Sequence, residues 1–298
     1  MSLVVNHNLM AMNAARNLSQ SYGALSKSTA RLSSGLRITT AADDAAGLAI
    51  RELMRADISA LQQGVRNAND AISLIQTADG ALGVIDEKLI RMKELAEQAA
   101  TGTYTSDQRL IIDSEYQAMA SEITRIANST DFNGIYLLNG NLSGDNSAHD
   151  GTGLVATGPL KVHFGTENDS AEDYYYISIG TSTSSALGVG LSATTSSGRA
   201  ISTQALAQES LVALKNAITS KDKIRANLGA LQNRLENTIT TLNTQAENLQ
   251  AAESRISDVD VASEMTEFVR SQILTQSAVA MLSQANSLPR MALQLIGG

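Results

Sequence analysis

The stretch RLSSGLRITTAADDAAGLAI, residues 31–50, decides how this chain is organised. Two adjacent acids, Asp43 and Asp44, follow Arg31 and Arg37 in a run of small residues. Three readings are open: an active-site carboxylate pair, a bend joining two helices, or a surface made for another copy of the chain. A catalytic pair needs environments that drive its two pKa values apart. No histidine and no apolar pocket-forming run accompanies these acids. The bend and the copy-to-copy surface remain.

Upstream of this stretch, Ala11, Ala15, Leu18, Tyr22, Leu25, Thr29 and Leu32 recur at alternating spacings of four and three, a coiled-coil seam. The same spacing returns at the other end in Leu274, Ala278, Met281, Ala285, Leu288, Ala292 and Leu295. Neither arm has a second apolar face, so the two ends are expected to meet. Pro289 is expected to bend or break the C-terminal helix.

Downstream, Ile58, Leu61, Val65, Ala68, Ile72 and Ile75 form one seam, and Ala78, Leu82, Ile85, Leu89, Met92, Ala96 and Ala99 the next. The phase slips by three residues near Thr77, a stammer. A helix over residues 57–100 would be ~66 Å long at 1.5 Å per residue. Ser106 is expected to cap a second helix carrying Ile112, Tyr116, Met119, Ile123 and Ile126. A third, over about 203–254, repeats apolar residues every seven positions from Leu228 to Ile256. Between the second and third rods the chain turns rich in Gly, Ser, Thr, Asn and Asp. There LKVHF (160–164) and YYYISI (174–179) predict a hairpin with a long acidic connection.

The expected fold is mainly α: long antiparallel helices in coiled-coil and bundle packing, with a small β-hairpin-rich insert. Its parts are an inner helical domain (1–42 and 256–298), a helical-bundle domain (43–139 and 200–255) and a variable β-rich surface insert (140–199).

Composition supports rods over a compact ball. The chain has 298 residues, 43% hydrophobic but only 3% aromatic, with two prolines. A net charge of −8 argues against a nucleic-acid partner, which requires a basic surface. The absence of cysteine removes disulfides, thiolate catalysis and Cys-based metal sites. MSLVVNHNLMAMNAARNLSQ lacks the charged segment and apolar core of a cleavable signal peptide, and no run of 18 apolar residues suggests membrane insertion. His7, His149 and His163 are too scattered for a metal motif. No catalytic, metal or cofactor site is expected.

Several long motifs, in order, resemble bacterial flagellin, the subunit of the flagellar filament. They are NHNLMAMNAARNLSQ, RLSSGLRITTAADDAAGLAI, NANDAISLIQTADGAL and DFNGIYLLNG near the N-terminus, and AAESRISDVDVASEMTEFVRSQILTQSAVAMLSQANSLPRMALQLI at the other end. The resemblance covers roughly residues 1–140 and 200–298, and implies a short form with a small variable region. It implies a structural subunit, not an enzyme, that polymerises with itself for swimming motility. Its terminal arms would form an inner layer, and its middle helices a second. It further implies unfolded export through a type III apparatus, with a chaperone, a cap protein and junction proteins as partners and an extracellular filament as destination. The rival within the same machinery is the hook–filament junction protein.

By the same resemblance Asp43 and Asp44, with Arg31 and Arg37, belong to the joint between layers and to the polymer contact. The seam residues Leu18, Leu25, Leu32, Leu274, Met281, Leu288 and Leu295 are expected at that contact too. IRMKELAEQ (90–98) resembles the segment read by the vertebrate Toll-like flagellin receptor, with Arg91, Leu95 and Glu115 at the motif's positions. An axial subunit contact is the structural alternative for Leu95. By the same resemblance the Ser/Thr clusters TSTSS (181–185) and TTSS (194–197) are candidate glycan sites, or simply a solvated loop. If Arg31 and Arg37 lie near residues 258–267, pairing with acids such as Asp260 and Glu264 would help set the register of the arms.

Overall fold

A computed structural model describes residues 8–144, 158–170, 172–190 and 200–296. His7, His149 and the 194–197 cluster lie outside the described residues, as do the side chains of Leu288 and Leu295. The element order is α1 (Leu9–Ser34), α2 (Ala45–Ala100), α3 (Ser106–Ser129), β1 (Asp131–Phe132), β2 (Ile135–Tyr136), β3 (Leu160–His163), β4 (Tyr174–Ile177), α4 (Ser184–Leu187), α5 (Gln204–Ser257) and α6 (Val261–Ile296). The fold is mainly α with two small antiparallel hairpins, β1–β2 and β3–β4. The chain divides into two compact units, Met1–Ile58 with Glu247–Gly298, and Ser59–Ala246.

In the first unit α1 and α6 run antiparallel. Leu36 and Asp258 form a β-bridge at one end of the pair, and Asn8 Nδ2 donates to the Ala285 carbonyl (2.8 Å) at the other. The two backbones come close, with Cα atoms within 8 Å along the pair. Small residues make this possible. The buried and half-buried positions among the described side chains are Ala11, Ala14, Leu18, Ser21, Leu25, Ser28, Arg31 and Leu32 on α1, and Glu264, Phe268, Ser271, Thr275, Ala278, Leu282, Ala285 and Ser287 on α6.

This seam departs from the one expected. Ala14, Ser21 and Ser28 replace Ala15, Tyr22 and Thr29 on α1, and among the described side chains of α6 Ala278 and Ala285 are shared. Leu274 and Met281 are exposed. Large apolar residues alone do not mark the contact: beside Leu18, Leu25, Leu32, Phe268 and Leu282 it uses Ala, Ser and Thr, because a close approach selects small side chains. A hydroxyl can be buried there if its own helix satisfies it, as Thr275 Oγ1 does by donating to the Ser271 carbonyl (2.7 Å).

Pro289 does not end α6, which continues to Ile296. Proline has no N–H to give the carbonyl four residues back, which is that of Ala285. Asn8 supplies the missing donor, while its Oδ1 accepts from the Ala11 N–H (3.0 Å) as the N-cap of α1.

In the second unit, beside the buried Leu74 and Leu95, the buried stripe of α2 is Leu61, Gly64, Ala68, Ala71, Ile75, Ala78, Leu82, Ile85, Leu89, Met92, Ala96 and Ala99. These alternate three and four without interruption, so there is no stammer at Thr77. The slip arises from preferring Val65 and Ile72 to their smaller neighbours Gly64 and Ala71. Gly64 is small for a reason: a Cβ there would lie 2.0 Å from the Phe164 carbonyl oxygen, where the chain leaves β3. Asn67 Nδ2 holds the same segment through the His163 carbonyl (2.8 Å).

Helix α2 begins at Ala45, well before the expected residue 57, because Asp44 caps it. Thr105, not Ser106, caps α3, in a reciprocal capping box with Gln108. Hairpin β3–β4 pairs Leu160 with Ile177 and His163 with Tyr174, as its alternation predicts. The β1–β2 hairpin was not anticipated: Asn133 and Gly134 both have positive φ, the requirement of a two-residue turn for which Asn-Gly is the usual solution.

Candidate functional site

The joint that follows α1 is held by its own polar groups. Gly35 closes α1 in a left-handed conformation, and its carbonyl accepts from the Val259 N–H (3.0 Å). The Arg37 N–H donates to the Ser257 carbonyl and its Nη2 to the Ile256 carbonyl, both at 2.6 Å. Arg37 therefore caps the C-terminal end of α5, where carbonyls lack helical donors and cations are favoured. It does not pair with an acid. Arg51 Nη1 donates to the buried Ile38 carbonyl (3.0 Å) and braces the joint from α2.

Asp43 and Asp44 divide two structural tasks. Asp43 accepts from the Thr39 N–H (3.3 Å) and Oγ1 (2.9 Å), and its other oxygen lies 2.6 Å from Lys27 Nζ. Lys27 and then Thr39 hold this carboxyl well below the ordinary carboxylate range. Asp44 accepts from the Gly47 N–H (2.9 Å) and starts α2. A general acid needs a raised pKa; Asp43 has the opposite. The geometry is that of a joint.

An ion pair joins the two arms. Arg31 Nη1 stands 3.6 Å from Glu264, while the buried Arg31 Nε has no hydrogen-bond partner. Asp260 is not available for a similar pair. Its carboxyl accepts from the N–H groups of Ala262 (3.0 Å) and Ser263 (3.3 Å) and from Ser263 Oγ (2.9 Å) at the start of α6. These bonds, those of Ser263 foremost, lower its pKa.

The faces of α1 and α6 turned away from this pair carry large apolar side chains. Leu9, Met10, Met12 and Tyr22 are exposed on α1, and Val261, Met265, Val269, Ile273, Leu274 and Met281 on α6. Leu18, Leu25 and Leu32 sit half-buried in the seam with α6, and so hold the pair together within the subunit.

The candidate receptor residues lie in the second unit. Arg91 Nε and Nη2 donate to Glu115 (3.0 and 2.8 Å) and Nη1 to Glu94 (3.0 Å), on an exposed surface of α2 and α3. Leu95, expected at a surface, is instead 2% exposed and part of the core. It falls on the inward side of the same α2 stripe as Met92 and Ala96, a placement that the sequence motif does not reveal.

Sequence reading also missed an electrostatic cluster around a buried lysine. Lys221 of α5 is 1% exposed, with Nζ 2.5 Å from Asp86 and 2.7 Å from Asp222. One turn along, Arg225 makes a bidentate pair with Asp79 (2.7 and 3.1 Å) and lowers the pKa of that acid. The signal was present as Lys and Arg four residues apart on α5 and Asp seven apart on α2. Among the described residues no group of three or more His, Cys, Asp or Glu is placed to hold a metal ion, and no helix is long and apolar enough to cross a membrane.

Long helices, a pinned joint and two arms with unpartnered apolar faces define a structural subunit that assembles with others. The family models for the bacterial flagellin N-terminal and C-terminal helical regions match residues 5–143 and 211–296. The chain is 40% identical to a flagellar filament 33 kDa core protein of Treponema phagedenis, over 99% of this chain and all of that one. It is 42% identical to a flagellin of Halalkalibacterium halodurans over the same shares. In fold it is similar to a putative flagellar hook-associated protein of Vibrio parahaemolyticus, with TM-score 0.54 and 14% identity, over 72% of this chain and all of that one. The chain belongs to the bacterial flagellin family, whose members are structural subunits of the flagellar filament.

Proposed function

We propose that copies of this chain pack into the filament through the outward faces of α1 and α6. The observation that carries the reading is the concentration there of exposed large apolar side chains, Ile273, Leu274 and Met281 among them. Contiguous exposed apolar surface of this kind is a mark of an interaction site. In this reading segments 1–42 and 256–298 form the inner layer of the filament, 43–139 and 200–255 the next, and 140–199 the outer surface. The joint at Asp43 and Asp44, with Arg31 and Arg37, fixes the angle at which the arms enter the polymer, and Leu288 and Leu295 extend the contact. Leu274→Asp or Met281→Asp would place an unpaired charge in it. Each variant should retain full helicity by circular dichroism yet fail to extend filament seeds. Normal extension by both would remove α6 from the contact.

The same reading gives the chain extracellular delivery through type III export without a cleavable signal, with an export chaperone, a cap and junction proteins as partners. Full-length similarity to a filament core protein favours the filament over the hook–filament junction. Recognition by a vertebrate Toll-like receptor would rest on the exposed Arg91–Glu115 pair, with Leu95 shaping the surface from beneath. Arg91→Ala should then weaken receptor binding with no loss of thermal stability. Leu95→Ala should weaken it only together with stability, by the ~2–5 kcal/mol typical of a core truncation.

A further inference from the structure

Methionine is distributed unevenly over this molecule. The chain has nine. Five of them, Met10 and Met12 on α1 and Met265, Met281 and Met291 on α6, are 45–63% exposed. All five lie on the arms. In the second unit, by contrast, Met92 is fully buried and Met119 is half-buried. Exposed thioethers are the readily oxidised ones, and oxidation converts an apolar, flexible side chain into a polar one. The faces proposed to be buried between copies are therefore the faces most open to that change.

We propose that Met10, Met12, Met265, Met281 and Met291 are a reversible oxidative modification site that bars an unassembled subunit from the polymer. The oxidant is of the peroxide class. A lone pair on the thioether sulfur attacks one peroxide oxygen, the S–O bond forms and the O–O bond breaks. The departing oxygen leaves as water with the peroxide's protons. Sulfur loses two electrons to become the sulfoxide, and the peroxide gains them. A thiol-dependent methionine sulfoxide reductase reverses the step. The inference rests on the proposed role of the arms: within the filament the same sulfurs are covered, so damage falls on subunits not yet assembled.

The test treats the full chain with dilute hydrogen peroxide, once as monomer and once as filament, and maps sulfoxides by peptide mass spectrometry. Met92 serves as the internal control. In monomer the five arm methionines should oxidise at least tenfold faster than Met92, and in filament they should be protected. Oxidised monomer should show a critical concentration raised roughly tenfold for each sulfoxide brought into a contact, since burying a side chain of this size is worth about that factor or more. Reductase treatment should restore assembly. A variant with all five replaced by leucine, a volume-conserving change, should show the same critical concentration with and without peroxide, whatever its own value. Equal oxidation in monomer and filament would overturn the arm contact itself, and this inference with it. Protection in filament, but unchanged assembly of oxidised monomer, would overturn the inference alone. So would a leucine variant whose critical concentration still rises on peroxide treatment.

Discussion

Replacing Asp86 should cost the second unit far more than replacing the lysine it faces. The Lys221 ammonium is 1% exposed and rests on Asp86 at 2.5 Å and Asp222 at 2.7 Å. Asp86→Ala leaves a buried cation with one partner, and Asp222 is itself largely in solvent. Removing one partner of a buried pair typically costs ~3–5 kcal/mol. The surviving Asp222 contact moderates this, so about 2–3 kcal/mol is expected. Lys221→Met removes the charge that needs partners and keeps the apolar stem in place. Asp86 can then turn to water, since its side chain is 28% exposed. That variant should lie within ~1 kcal/mol of the parent, as hydrophobic replacement of buried ions often does. Asp86→Ala combined with Lys221→Met should recover most of the loss. Native-state hydrogen exchange of the amides around residues 79–89 and 217–228 reports this unit without requiring the whole chain to unfold in one step. Equal costs for the two single variants, or a double variant as unstable as Asp86→Ala, would refute the reasoning: the pair's attraction, not the desolvated lysine, would then dominate.

Asn8→Ala should remove both the cap of α1 and the donor to the Ala285 carbonyl, at ~1–2 kcal/mol, seen as faster exchange in the first turn of α1. In a Pro289→Ala background the helix supplies its own donor, so the cost of Asn8→Ala should shrink; an unchanged cost would dissociate Asn8 from the proline. Asp43 should titrate below the ordinary value of ~3.9, so its contribution is present above that value and lost only as pH falls through the lower folded value. Lys27→Ala should move the midpoint, followed by carboxyl carbon NMR, back up; a midpoint at or above the ordinary value in the parent would contradict the Lys27 and Thr39 contacts. Arg31→Glu should raise the critical concentration and Glu264→Lys in the same chain should partly lower it again. Arg37→Glu should gain nothing from Asp260→Lys, because Arg37 serves carbonyls of α5 and Asp260 caps α6; a rescue there would show a pairing that the geometry lacks.

The helical plan was legible because its signals are local and repeated. The α2 stripe from Ala78 to Ala99, the LKVHF and YYYISI alternation, and the heptad leucines of α5 each give a period that only one element satisfies. The arm seam was harder. Its contact includes Ala14, Ser21, Ser28, Ser271 and Thr275, which a search for large apolar residues passes over, while Leu274 and Met281, which such a search selects, are exposed. The apparent break at Thr77 had the same origin. Gly64 is small because the segment at Phe164 comes close, and that neighbour is distant in sequence. Pro289 looked like a terminator because nothing in the local sequence says that Asn8, 281 positions away, supplies the donor it lacks. At the joint, the acids announced a bend, but their division into a salt-bridged Asp43 and a capping Asp44 depends on Lys27 one helix earlier.

Seeded growth followed by electron microscopy tests the central claim, that the outward faces of the two arms build the filament. The full chain, added to filament fragments, should extend them into long tubes. A chain ending before Ser271 retains the second unit whole but loses most of α6. It should stay monomeric beside the same seeds, with the helicity of its remaining segments intact. Tubes grown from that shortened chain would contradict the account.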